Sequence, residues 1–308
     1  MNNHVRGDLS LKVKERKGGD YLLLFSVITL SVIGLVFVYS ASRYNSAIAY
    51  GDEFFVTKKH TAGLAMGFAA MIFGASFDYR KYRKTGLWLI LGAYVLLGLV
   101  FTPLGFENYG AKRWIKLAGI TVQPSEIAKI CYVIFVAAYF AENPDRAKSF
   151  LGALPVILSG ALFCLLIIFE PNMSITVCFG ALMLVTLFTA GVKFSILACV
   201  IVPAACAVPL LIIAEPYRLN RLSAFLNPWA SPKGEGYQLL QSLYALGSGG
   251  WFGVGLFKSR QKFRFLPFSE SDFILAVIGE EIGFVGLVLL FALAFFIVWR
   301  GLKIAVNC

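Results

Sequence analysis

Eight apolar stretches constrain this chain more than any other feature. They lie near 21–42, 59–77, 85–102, 123–141, 151–169, 173–190, 194–214 and 273–299. A helix of about 20 apolar residues crosses the hydrocarbon layer of a bilayer. With 58% hydrophobic residues and 15% charged ones, a chain of 308 residues has far more apolar sequence than a soluble core of its size needs. The expected fold is therefore all-α: a polytopic membrane bundle of about eight transmembrane helices. A long outer loop, 215–272, separates the seventh helix from the eighth. Residues 1–20 form a basic cytoplasmic segment, and 21–308 a single transmembrane domain. The first run is too long for a signal-peptide core and has no convincing cleavage site, so it is expected to stay as an anchor.

Lys and Arg set the orientation. With the N-terminus inside, 14 cations fall on cytoplasmic segments, among them Arg16, Arg80, Lys84, Arg146 and Arg300. Six fall on the two short outer loops: Arg43, Lys58, Lys59, Lys112, Arg113 and Lys116. Both termini are then cytoplasmic. The 215–272 loop breaks the pattern with seven basic and four acidic residues, which long translocated loops tolerate. A basic surface beside the bilayer suits lipid headgroups or an anionic ligand.

The net charge of +11 needs no nucleic acid to explain it, because the cations are dispersed over loops and no nucleic-acid motif accompanies them. The six cysteines show no CxxC spacing, so neither a zinc site nor a disulfide framework is indicated, and they read as small packing residues. His4 and His60 are isolated from any nucleophile.

The chemistry concentrates in three places. In Phe265-Leu-Pro-Phe-Ser-Glu-Ser-Asp-Phe-Ile274, Asp272 sits where the basic loop enters an apolar helix that then carries Glu280 and Glu281. Ionisable groups near hydrocarbon are costly, so three carboxylates within ten residues point to a working site; the plain alternative is a helix cap at Asp272 and a solvated or paired glutamate pair. The second place is Lys112-Arg-Trp114 followed by Gln123-Pro-Ser-Glu-Ile-Ala-Lys129. Pro124 fits the first turn of a helix, and Ser125, Glu126 and Lys129 then share one face, with Glu126 and Lys129 spaced to pair. Arg113 offers a fork for phosphate and Trp114 a flat apolar wall. The third is the long loop itself. Arg218 and Arg221 lie on one side of a possible interfacial helix within 217–229. The glycines of 247–255 fit neither the dinucleotide fingerprint nor the P-loop, and read as a tight turn beside a ligand.

These motifs together resemble the SEDS family of cell-wall glycosyltransferases, the FtsW, RodA and SpoVE group. The matching residues are Lys112-Arg-Trp114, 123–129, Glu170-Pro-Asn172, Tyr237-Gln-Leu-Leu-Gln-Ser242, Gly247-Ser-Gly-Gly250, Ser271-Asp-Phe-Ile274 and Gly279-Glu-Glu-Ile-Gly283. The run 253–262 looks closer to the division and sporulation branch. Members usually span the membrane ten times, so this chain looks C-terminally shortened. The usual Pro-Glu-x-His-Thr-Asp sequence is Pro267-Phe-Ser-Glu-Ser-Asp272, with Glu270 the possible stand-in, and Gln-Pro-Asp is Glu170-Pro-Asn172.

The resemblance implies polymerisation of lipid II at the outer face of the bacterial cytoplasmic membrane. It implies Asp272 as general base. Arg113, Trp114, Ser125, Glu126, Lys129, Arg218, Arg221, Gln238, Ser242 and Glu281 are the implied substrate-binding residues. No metal site is expected from the sequence, although a divalent cation such as Mg or Mn could share the charge of the leaving pyrophosphate. The implied partners are a class B penicillin-binding transpeptidase, other divisome proteins and membrane lipids. Two other functions fit less of the sequence: a flippase for the same precursor, which the lack of an internal repeat disfavours, and a non-catalytic division scaffold.

Overall fold

A computed structural model describes residues 19–108, 111–117 and 120–306. Most of the basic segment 1–20, Tyr109 and Cys308 lie outside the described residues. In chain order the elements are α1 (Tyr21–Tyr50), α2 (Phe55–Ser76), α3 (Tyr82–Leu99), β1 (Gly105–Asn108), β2 (Ala111–Leu117), β3 (Ile120–Val122), α4 (Pro124–Glu142) and α5 (Phe150–Phe169). There follow α6 (Met173–Thr189), α7 (Phe194–Ile213), α8 (Pro216–Leu226), α9 (Tyr237–Gly249) and α10 (Ile274–Val306). Every expected apolar run is helical, and the protein is a polytopic helical membrane protein. By length and composition α1, α4, α5, α7 and α10 can each cross a membrane, and α6 is a shorter apolar helix. The helices α2 and α3 carry cations in their opening turns, Lys58 and Lys59 in one, Arg83 and Lys84 in the other.

Two segments differ from the sequence reading. The 102–123 connection, expected to be loop, holds an antiparallel sheet in the order β1-β2-β3, with Phe106 opposite Trp114 and Ile115 opposite Val122. The alternation of cations and bulky apolar residues through Lys112-Arg-Trp-Ile-Lys116 suits a strand with two unlike faces. The long 215–272 loop contains two helices, α8 and α9. The first of these is the helix foreseen around Arg218 and Arg221.

The chain forms two compact units, one from the residues up to Ala70 with those from Asn220 onward, the other from Met71 to Leu219. In the second unit α3 to α7 pack around Leu97, Ala128, Tyr132, Phe163, Ile167 and Phe179. Tyr94 stacks on Phe163 with ring centroids 4.1 Å apart, and the Tyr132 hydroxyl donates to the Val156 carbonyl at 3.2 Å. Between helices in lipid the gain comes from such close packing and from satisfied polar groups, since lipid tails are as apolar as the side chains. The first unit has a smaller core, in which Ala41 of α1, Ala245 of α9 and Ala276 and Val277 of α10 surround Leu266. Its small residues let the three helices approach closely. At the N-terminus of α1, Asp20 accepts a hydrogen bond from the Leu23 amide and an ion-paired one from Arg300 near the end of α10.

Candidate functional site

Helix α10 is two helices in series, broken at Gly283, whose backbone (φ 68°, ψ −172°) is not helical. An unbroken helix would bond the amides of Phe284 and Val285 to the carbonyls of Glu280 and Glu281. The break orphans all four groups, and the turn after α9 takes up each of them. The Val254 and Gly255 amides donate to the Glu280 and Glu281 carbonyls at 2.9 and 3.0 Å. The Phe284 and Val285 amides donate to the Gly250 and Trp251 carbonyls at 2.9 and 3.0 Å. Backbones this close leave no room for a side chain: a Cβ on Gly253 would lie 2.1 Å from the Glu281 carbonyl oxygen, and one on Gly283 2.3 Å from the Gly253 nitrogen. The glycine cluster therefore forms the tight turn expected of it, and that turn packs against the helix break.

The side chains at the break form a buried polar knot. Glu280 accepts from the Ser259 hydroxyl, from the Arg260 amide at 3.0 Å and from the Gln261 amide at 3.3 Å. Glu281 Oε1 accepts from the Ser40 hydroxyl at 2.6 Å, the Lys262 ammonium at 2.9 Å and the Ser259 amide at 3.3 Å. Lys262 Nζ also donates to the Ser40 hydroxyl at 3.1 Å. Glu281 and Lys262 are 1% and 5% exposed, so the pair is closed to solvent. Glu281, nominated as a substrate-binding residue, is thus engaged inside the protein. Of the two sequence readings, the glutamates follow the paired one, because a carboxylate this deep is stable only with donors around it.

Asp272 lies two residues before α10, on the exposed end of the same loop. It makes no hydrogen bond or ion pair among the described residues, so it caps nothing and its carboxylate is open to a ligand. Its neighbour Glu270 is tied to α1, accepting from Asn45 Nδ2 at 3.1 Å and from the Ser269 hydroxyl at 3.2 Å. On α9, Gln238 is half-buried, whereas Ser242 is buried and turns its hydroxyl back onto the Leu239 carbonyl at 2.7 Å.

The second unit carries the other nominated residues. Arg113 projects from β2 onto the turn between α5 and α6, where Nε donates to the Glu170 carbonyl at 3.2 Å and Nη2 to the Pro171 carbonyl. Trp114, next along the strand, faces the other way and is half-buried. Pro124 opens α4 as expected, and Lys129 pairs with Glu126 at 2.8 Å. Ser125 does not share that face: it is fully buried and its hydroxyl has no partner among the described residues. Adjacent helical residues point about 100° apart, which separates it from Glu126. In α8, Arg218 donates to the Leu211 carbonyl at 2.5 Å, and Arg221 is also engaged with neighbouring groups.

Four residues of consequence were not among the site candidates: Ser40, Ser259, Lys262 and Glu170, which entered only as part of a motif. The last is 1% exposed, and neither carboxyl oxygen has a hydrogen-bond partner among the described residues. Burial raises its pKa from the ordinary 4.5 to about 7, against the opposing pull of Arg113. No three His, Cys, Asp or Glu side chains gather into a ligand set among the described residues, so no protein-built cage fits a divalent ion there.

Comparison with known proteins adds the decisive observation: the model of the FtsW/RodA/SpoVE cell cycle protein family matches residues 21–308. The chain belongs to that family. Among its relatives, a probable peptidoglycan glycosyltransferase FtsW of a Geobacter species is 36% identical over 292 residues, which is 94% of this chain and 80% of the relative. The stage V sporulation protein E of Bacillus subtilis is 35% identical, over 94% of this chain and 79% of the relative. A chain from a peptidoglycan synthase complex that coordinates polymerisation and crosslinking superposes with a TM-score of 0.69 at 25% identity, covering 91% of this chain and 76% of the other. The rod shape determining protein RodA of Thermus thermophilus shares the fold, with a TM-score of 0.66 at 22% identity over 95% and 77% of the two chains.

Proposed function

We propose that this chain is a peptidoglycan glycosyltransferase that polymerises lipid II into glycan strands, with Asp272 as its general base. Membership of the family and the names of the FtsW and SpoVE relatives support the reaction class. The observation that carries the base assignment is that Asp272 is an exposed carboxylate with no partner among the described residues, at the mouth of a helix whose other two carboxylates are consumed by the fold.

In the reaction, Asp272 takes the proton of the acceptor's sugar hydroxyl as that oxygen attacks the anomeric carbon of the donor. The bond from that carbon to the pyrophosphate oxygen breaks, and polyprenyl pyrophosphate leaves with the electron pair. A positioned base contributes typically about 10²–10⁴-fold. Charge developing on the pyrophosphate calls for cations, and Arg113, Lys129, Arg218 and Arg221 are the residues nominated. An arginine fixed through part of its fork still holds N–H donors for phosphate, which suits Arg113 and Arg218 to that role. The site faces outward across the bacterial cytoplasmic membrane, with both termini inside. Its partner is a class B penicillin-binding transpeptidase that crosslinks the strands during division or sporulation, a reading supported by the synthase complex with which the fold superposes. A flippase would use Glu280, Glu281, Glu126 and Lys129 as a polar path, and the burial of the first two within the fold disfavours that.

The test is polymerisation of lipid II by the purified chain together with its transpeptidase, wild type against Asp272→Ala. Glycan product should fall by about 10²-fold or more in the variant. Product retained by Asp272→Ala removes the base assignment; no product from the wild type, with a full relative active in parallel, removes the polymerase reading for this chain.

A further inference from the structure

The buried Lys262–Glu281 pair closes a loop, and Asp272 sits at its apex. Lys262 and Glu281 are 19 residues apart in sequence and 2.9 Å apart at their charged atoms. Asp272 lies ten residues after Lys262 and nine before Glu281. One limb of the loop is the first segment of α10. The other, from Lys262 to Phe273, has no regular helix or strand to fix its course. It is held instead by Leu266 in the core, by the Tyr237 hydroxyl on the Phe265 carbonyl, by Tyr44 against Phe263, by Glu270 on Asn45 and, at its base, by Lys262.

We propose that Lys262 is a positioning residue for catalysis: through Glu281 and Ser40 it closes the loop that holds the Asp272 carboxylate in its reactive place. This rests on the reading of Asp272 as the base. A lysine brought to 5% exposure gains little net stability from its ion pair, because desolvation offsets most of the attraction. What such a pair supplies is register. Leu266 and Glu270 fix the limb part-way along, and tying Lys262 down at its base removes positions that those contacts leave open. Three features make this closure specific. Lys262 is the only cation within reach of Glu281 among the described residues, as ion pairs at 4 Å or less show. Ser40 bonds both members, so α1 fixes the pair from a second direction. The adjacent backbone amides of Ser259, Arg260 and Gln261 are bonded to Glu281 and Glu280, so the entry to the loop cannot slide along α10.

The experiment measures steady-state polymerisation of lipid II by the full chain with its transpeptidase, for Lys262→Met, Glu281→Gln and Asp272→Ala. It is accompanied by the pH–rate profile and by hydrogen exchange of residues 262–273. Lys262→Met should lower kcat by about ten-fold or more, since small misplacements of a reacting group are enough for that. KM should stay within about two-fold and the pH limbs should not move, because the base itself is unchanged. Exchange should accelerate between 262 and 273. Should Lys262→Met fail to fold, Glu281→Gln decides, since it keeps the shape of the side chain and removes the charge. A wild-type kcat, or a loss that appears in KM alone, in the deciding variant overturns the positioning role while Asp272→Ala remains inactive. Activity surviving in Asp272→Ala overturns the base reading instead.

Discussion

Glu281 in one unit and Glu170 in the other are each 1% exposed, yet Glu281 meets donors at one oxygen, its Oε2 having none among the described residues, whereas Glu170 meets none at either. Glu281 Oε1 collects a hydroxyl, an ammonium and a backbone amide, and its neighbour Glu280 collects three more donors. Neither oxygen of Glu170 meets a donor among the described residues, although Arg113 is bonded to that residue's own carbonyl. Burial alone therefore does not determine what a carboxyl does in this chain. Where donors converge, the carboxyl oxygens organise the backbone around them. Where they do not, burial favours the protonated form, and the group titrates near neutrality.

The contrast can be broken or sharpened by substitution. The largest effect is expected at Glu280, where leucine leaves the Ser259 hydroxyl and two amides without an acceptor. A loss of about 3–5 kcal/mol is expected from breaking a buried charged network, measured as denaturant or thermal unfolding in detergent. A loss below that of an ordinary surface change would remove the distinction between the two sites.

Glu170→Gln should act in the opposite sense and only at one end of the pH range. A carboxyl whose pKa is raised in the folded state contributes stability below its unfolded pKa and loses it as pH rises through the folded one. For Glu170 the window runs from 4.5 to about 7. Above it the glutamine variant should be the more stable by up to about 3 kcal/mol, and below it the two should converge. Melting both proteins across that range checks the sign, and a parallel pair of curves would contradict it. The smallest effect is expected from the wet pair. Glu126 is half exposed, and Glu126→Ala should change stability by about 0.5 kcal/mol or less by the same unfolding measurement.

Much of the helical frame is legible in the sequence, because spans are set by the length of apolar runs and by their cations. Pro124 marks the start of α4, and the spacing of Glu126 and Lys129 announces their pair. The sheet is harder to read, since β2 is seven residues long and its cations resemble those of any exposed connection. The knot is harder still. Lys262 is one of seven basic residues in its segment, with nothing local to set it apart from those facing headgroups. The hydroxyl that completes the site, Ser40, lies 241 residues from Glu281. A carboxylate in an apolar helix needs either a ligand or a partner, and only the folded chain shows which of the two Glu281 has.

The break at Gly283 also has a consequence for biosynthesis. The turn at 250–255 that takes up the orphaned groups of α10 is made about thirty residues before them, and Ser40 long before that. As α10 leaves the ribosome, the partners for its interrupted ladder have already been delivered to the membrane. The second half of the helix can therefore enter lipid without an interval in which its bare amides face hydrocarbon. Moving the turn to the far side of α10 in a circular permutant would reverse that order while keeping every contact.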